Sequence, residues 1–104
     1  MNTLTIKHEC NAQDVTFSED SFNVLLDDGR SVTIPLAWFP RLGYATRQEL
    51  ENYELIGDGE GIHWPDLNED ISIEGLIAGR RSGESQKSFR KWIEKRKKSQ
   101  SKVP

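Results

Sequence analysis

The sequence predicts an α+β fold: a small, mostly antiparallel sheet with a β-hairpin packs against one or two short helices, and a basic amphipathic helix follows at the C-terminus. Three features predict it. Apolar residues alternate with polar ones from Val15 to Ile34, with turn residues between the runs. A capping-box pattern, Thr46-Arg47-Gln48-Glu49, announces a helix. After Gly79 the charge changes sign just where apolar residues take up helical spacing.

Val15 and Phe17 lie on one strand, and Ser18-Glu19-Asp20-Ser21 turns the chain into a second, Phe22-Asn23-Val24-Leu25-Leu26. Asp27-Asp28-Gly29 leads into Arg30-Ser31-Val32-Thr33-Ile34, and side-chain matching decides the loop length. A two-residue loop pairs Val24 with Thr33 and Phe22 with Pro35, mixing the two faces. A three-residue loop pairs Leu26 with Arg30, Val24 with Val32 and Phe22 with Ile34, and puts Gly29 in the left-handed position of a type I turn plus bulge. The three-residue loop is therefore expected. Pro35 and Pro40 then take Leu36 to Leu42 out of the sheet.

The capped helix is expected to run from Thr46 through Leu50, Tyr53 and Leu55 to about Ile56, with Gly57 as its stop. A flexible loop, Gly57-Asp58-Gly59-Glu60-Gly61, precedes a short extended piece, Ile62-His63-Trp64-Pro65. Ser72 can cap a short turn or helix through Glu74, Leu76 and Ile77 that ends at Gly79. Arg80 to Glu84 reads as a linker and Ser85 as the cap of a last helix with Phe89, Trp92, Ile93 and Arg96 on one face. A helix of about a dozen residues is marginal alone in water, so it must dock or fray. Disorder is expected from Lys97 to Pro104.

The length of 104 residues suits one core, and no apolar run is long enough to span a bilayer. The first residues lack a secretory signal, and the lone Cys10 forms no internal disulfide, so a cytoplasmic protein is expected. The net charge of -3 hides two opposed regions. Through Gly79 four basic residues face fifteen acidic ones, a net of -11; beyond it ten basic residues face two acidic ones, a net of +8. The division expected is an acidic α+β domain over 1-79, then linker, basic helix and tail over 80-104.

Asp28-Gly29, Pro35-Leu36-Ala37-Trp38-Phe39-Pro40-Arg41-Leu42, Ala45-Thr46 and the long run from Gly59 to Leu76, with Gly-Ile-His-Trp-Pro at 61–65, together resemble the bacterial family named domain of unknown function 2442. The resemblance implies a compact α+β body and brings no activity or catalytic residue with it. Some relatives carry a helix-turn-helix domain, for which the tail here has room for one helix only. Others are encoded beside small proteins in pairs of the toxin and antitoxin kind, which implies an antitoxin-like role.

No metal, cofactor or catalytic set is expected. His8, Cys10 and His63 lack the close spacing of zinc ligands, and Cys10 with His63 is a weak thiol-base pair. Gly57, Gly59 and Gly61 are glycine-rich, but Asp58 and Glu60 would repel a phosphate. Asp66, Glu69 and Asp70 fit no calcium loop and read as a solvated face. An acid-base role for His63 with Asp66 or Asp70 is the outside reading.

Trp and Arg dominate interface contacts, so the expected partner-binding residues are Trp38, Arg41, His63, Trp64, Asp66 and Asp70, with at least one tryptophan in the core. Arg41, a rare cation in an acidic body, is expected to pair with a nearby carboxylate. The tail offers Arg80, Arg81, Lys87, Arg90, Lys91, Trp92, Lys95 and Arg96 as the alternative, nucleic-acid-binding set. Self-docking on the acidic body, a partner groove, nucleic acid and an anionic membrane surface all fit such a helix. The leading expectation is a non-catalytic interaction or regulatory module with a protein partner; the alternative is a nucleic-acid-associated regulator.

Overall fold

The period-two apolar pattern in the first third of the chain builds a three-stranded antiparallel sheet in the computed structural model, which describes residues 10–101, with side chains through Lys98. Its strands are β1 (Ala12–Phe17), β2 (Ser21–Leu26) and β3 (Ser31–Pro35), in the order β1-β2-β3. Val24 pairs with Val32 and Phe22 with Ile34, the register that side-chain matching predicts. The loop closes through Leu26 N–H donating to the Arg30 carbonyl at 2.8 Å, with Gly29 at φ 95°.

The two prolines end the sheet as expected. A single 3-10 turn (Leu36–Trp38) is followed by α1 (Pro40–Tyr44), whose first residue is the proline that helix starts tolerate best. Next comes α2 (Arg47–Glu51), with the full capping box: Thr46 Oγ accepts from Glu49 N–H at 3.1 Å, and Glu49 Oε1 accepts from Thr46 N–H at 3.0 Å.

Here the structure corrects the expected helix. α2 stops at Glu51, and the residues assigned to its last turn form β4 (Glu54–Ile56). Asn52 leaves helical geometry at φ -92° and ψ 66° and donates to Asp66 Oδ2 at 2.9 Å. Leu55 pairs with Ile62 across the next strand, so strand pairing ends the helix that the capping box begins.

A second antiparallel sheet therefore exists, in the order β4-β5-β6, with β5 (Gly61–Trp64) and β6 (Glu69–Ser72). The glycine-rich segment is its first hairpin turn, not a loose loop. Gly59 sits at φ 101° and receives a 2.7 Å hydrogen bond from Ala12 N–H on its carbonyl; a Cβ there would lie 2.2 Å from the Ala12 carbonyl oxygen. Only glycine allows that approach, which ties the second sheet to the first.

Ser72 caps α3 (Ile73–Ile77) by accepting from Gly75 N–H at 2.9 Å, as predicted, and Gly79 ends it at φ 82°. The last helix, α4 (Gln86–Ser101), has 16 residues and reaches past Lys97, where disorder was expected to begin. Its repeating i to i-4 bonds carry on because Lys97, Lys98 and Gln100 are good helix formers and no Gly or Pro intervenes before Pro104.

One core serves both sheets. Phe22 and Trp64 are fully buried and meet edge to face with centroids 6.1 Å apart, and Leu26, Leu42, Ile62 and Leu67 close around them. Burying these side chains removes roughly 1.5–3 kcal/mol of unfavourable hydration for each. No described helix is long and apolar enough to cross a membrane.

Candidate functional site

The sequence-predicted partner residues are not gathered on one surface. Trp64, expected as a contact, is 0% exposed; its ring packs on Phe22 and its Nε1–H donates to the Leu50 carbonyl at 2.9 Å. Alternation along β5 turns Ile62 and Trp64 inward and His63 outward. Trp64 is the core tryptophan and is unavailable to a partner. Trp38 is half-buried, with the Arg81 guanidinium 4.5 Å from its ring centre.

Three of the six do reach solvent beside β5. His63 faces Asp70 across the β5-β6 ladder, and its Nδ1 is hydrogen-bonded to Asp70 Oδ1. Glu54 pairs with His63 from the other side, so a polar row, Glu54-His63-Asp70, crosses the outer face of the second sheet. Asp66 lies on the β5-β6 turn, held by Asn52. Glu69 shares the inward side with Ile71, and this burial pushes its carboxyl above the usual carboxylate range, against the lowering pull of Arg41.

The most organised polar chemistry lies where the tail meets the body. Arg41 pairs with a carboxylate, as expected, but the partner is Glu84 of the linker, 43 residues on. Its Nη2 donates to Glu84 Oε2 at 2.6 Å, its Nε donates to both Glu84 oxygens at 3.0 and 3.1 Å, and its Nη1 reaches the Leu67 carbonyl at 2.9 Å. Such a fork fixes direction as well as distance. Arg41 is therefore a structural tie, its side chain 16% exposed and its guanidinium engaged by Glu84 and the Leu67 carbonyl.

A second fork holds the helix. Arg96 Nη1 and Nη2 donate to Glu49 Oε2 and Oε1 at 3.0 and 2.9 Å. The Glu49 carboxylate thus closes the α2 capping box and receives α4 at once. Hydrogen bonds from Arg96 and Arg41 hold the Glu49 and Glu84 carboxyls, respectively, below their ordinary range.

Between the forks lies an aromatic seam. Phe89 stacks on Trp92 at 5.8 Å, and Tyr44 of α1 meets both rings edge-on at 6.2 and 5.9 Å. The guanidinium carbons of Arg41 and Arg96 lie 5.0 and 4.7 Å from the Trp92 ring centre. The inward face of α4 is the predicted one, with Phe89, Trp92, Ile93 and Arg96 all partly buried. Two members of the nucleic-acid set, Trp92 and Arg96, are thereby turned against the body.

The other cations project outward. Lys87, Arg90, Lys91 and Lys95 are exposed and, among the described residues, have no ion-pair partner. The linker is not slack either: Ser82 N–H donates to the Trp38 carbonyl at 3.1 Å, and Arg80 N–H to the Gly75 carbonyl at 2.9 Å.

Cys10 lies at the sheet edge, its thiol 3.1 Å from Asp28 Oδ2 and 2.9 Å from Arg30 Nη2. The bond to Asp28 raises the thiol pKa and brings Asp28 down to about 2. His8 lies outside the described residues, and among those described no three His, Cys, Asp or Glu side chains are grouped to hold a metal.

Sequence reasoning missed Glu49 and Glu84 as docking residues. The signal present was weak: Glu84 is one of only two acids in the basic tail, and Glu49 was accounted for by its cap.

Comparison with known proteins agrees with this architecture. The chain is similar to a protein of unknown function from Rhodospirillum rubrum, at 27% identity and a TM-score of 0.67, over 76% of this chain and 98% of that one. It is also similar to an uncharacterized protein from Chromobacterium violaceum, at 25% identity and a TM-score of 0.61, over 70% of this chain and 69% of that one. No curated protein matches it. Residues 12–82, from the start of β1 to the linker ahead of α4, match the family described as Protein of unknown function (DUF2442), and the chain belongs to that family.

Proposed function

We propose that the chain is a non-catalytic interaction module of the bacterial cytoplasm that binds a protein partner, with α4 extending the contact made by the body. The observation carrying this reading is the way α4 is mounted. The Arg96–Glu49 fork and an aromatic seam hold its inner face, and the Arg41–Glu84 fork ties down the linker just ahead of it, so that Lys87, Arg90, Lys91 and Lys95 stand on a fixed support. A pre-ordered charged face loses little conformational entropy on binding and steers a partner of opposite charge. The narrower, antitoxin-like form of the reading makes the partner a small protein encoded next door.

Affinity capture from the native host tests it. A stoichiometric protein partner is expected at low salt, and recovery of none at any salt concentration would overturn the reading.

A second reading, a nucleic-acid-associated regulator, draws on the same unpaired cations. It is weaker because the region through Gly79 carries -11 and repels phosphates. Its signature would be affinity for DNA or RNA that falls steeply with salt and disappears when residues 83–104 are removed.

A further inference from the structure

We infer that the flank of α4 facing the β5-β6 turn is a docking groove for an extended acidic segment of a protein, an inference that rests on the interaction reading above and names its partner chemistry. The groove encloses about 450 Å³. Arg41 and Asn68 line it from the body, and Ser88, Lys91, Trp92 and Lys95 from the helix.

Charge complementarity sets the occupant's sign. Arg41 is matched by Glu84, so the surplus positive charge of the groove belongs to its lysines, of which Lys91 and Lys95 have no ion-pair partner among the described residues. Ser88 is already committed, its Oγ donating to Glu84 Oε2 at 2.9 Å, and it keeps the floor polar without adding charge.

Spacing sets the occupant's form. Lys91 and Lys95 are one helical turn apart, which separates their Cβ atoms by about 6 Å. On an extended chain, alternate side chains share a side and repeat at roughly 6.6 Å. Carboxylates at alternate positions can therefore meet both ammonium groups, while the partly exposed Trp92 ring offers an apolar wall to a side chain nearby.

The surroundings favour a peptide over a polynucleotide. A polynucleotide carries a phosphate at every residue and would run its charge along both Glu94, which also lines the groove, and the acidic body. A peptide with a few spaced carboxylates avoids both.

The experiment uses the full chain and three labelled probes: a short peptide with Glu at alternate positions, the same peptide with Gln in place of Glu, and a single-stranded oligonucleotide of equal net charge. The Glu peptide is expected to bind, the Gln peptide not to bind, and the oligonucleotide to bind more weakly than the Glu peptide. The double variant K91E/K95E should weaken the Glu peptide roughly tenfold or more, from two lost ion pairs and two new repulsions. Its helix content and melting temperature, measured alongside, should be unchanged.

The groove is overturned if the Glu peptide does not bind, if the double variant binds it as tightly, or if the oligonucleotide binds more tightly. If a native partner is captured equally by the chain and the variant, the groove falls and the interaction reading stands. If the peptide binds through the lysines but no protein is retained from the host, the groove stands and that reading falls.

Discussion

The body and α4 are held by different physics. In the body Phe22, Trp64, Leu42 and Ile62 are sealed from water, and a carbonyl oxygen within the van der Waals space of a missing Cβ locks Gly59 to Ala12. α4 has no fully buried side chain among its described residues; it rests on aromatic edges and the Arg96–Glu49 fork, with the Arg41–Glu84 fork on the linker ahead of it, the Glu49 and Glu84 side chains being 21% and 11% exposed. A core of the first kind unfolds as a unit; a contact of the second kind opens and closes by itself. The two stretches thus differ in how deeply they are buried, and the family match ends at Ser82, ahead of α4.

The strongest way to break the contrast is through the body. Trp64→Ala should lower stability by about 3–5 kcal/mol, unfolding body and helix together, which a thermal melt followed by circular dichroism will show. Gly59→Ala should come next, at roughly 2–3 kcal/mol, because the new methyl group meets backbone that cannot move aside.

Changes in the seam should separate the regions. Glu49→Gln and Arg96→Met, alone and together, should give a coupling of about 1 kcal/mol in a double-mutant cycle, since the pair is only partly shielded from solvent. Trp92 emission should shift toward that of exposed indole while the core melt barely moves.

Acid should do the same without mutation. Glu49 and Glu84 have depressed carboxyl pKa values, so their support for docking is complete above the unfolded value of about 4.3 and is lost as pH falls below it, through their folded values. Glu69 has the opposite sign: its raised pKa makes the charged form unfavourable near neutrality, a penalty relieved as pH falls through it. Glu69→Gln should therefore stabilise the chain slightly at neutral pH and lose that advantage in acid. Smallest of all, K91E/K95E should change stability by no more than about 0.5 kcal/mol, as exposed positions do.

What the sequence discloses is what local chemistry decides. Val24 and Val32 must share a face, which specifies the β2-β3 register; Thr46 and Glu49 cap each other three residues apart; and Phe89, Trp92, Ile93 and Arg96 fall on one side of any helix that contains them. What it conceals is settled at a distance. The capping box at Thr46 announces a helix expected to run to about Ile56, yet Ile62 claims Leu55 for a strand. Nothing local distinguishes Trp64 from Trp38 as the core tryptophan. The ion pairs that seat the linker and α4 join residues 43 and 47 apart in the chain, and nothing near either carboxylate names its arginine.

Native-state hydrogen exchange, read residue by residue, bears most directly on this division. If α4 is a docked display helix, its amides from Phe89 to Arg96 should exchange through a local opening of about 1–3 kcal/mol, while those of β2 and β5 wait for global unfolding at roughly 5 kcal/mol or more. Equal protection in helix and sheets, with both lost in a single step, would contradict it.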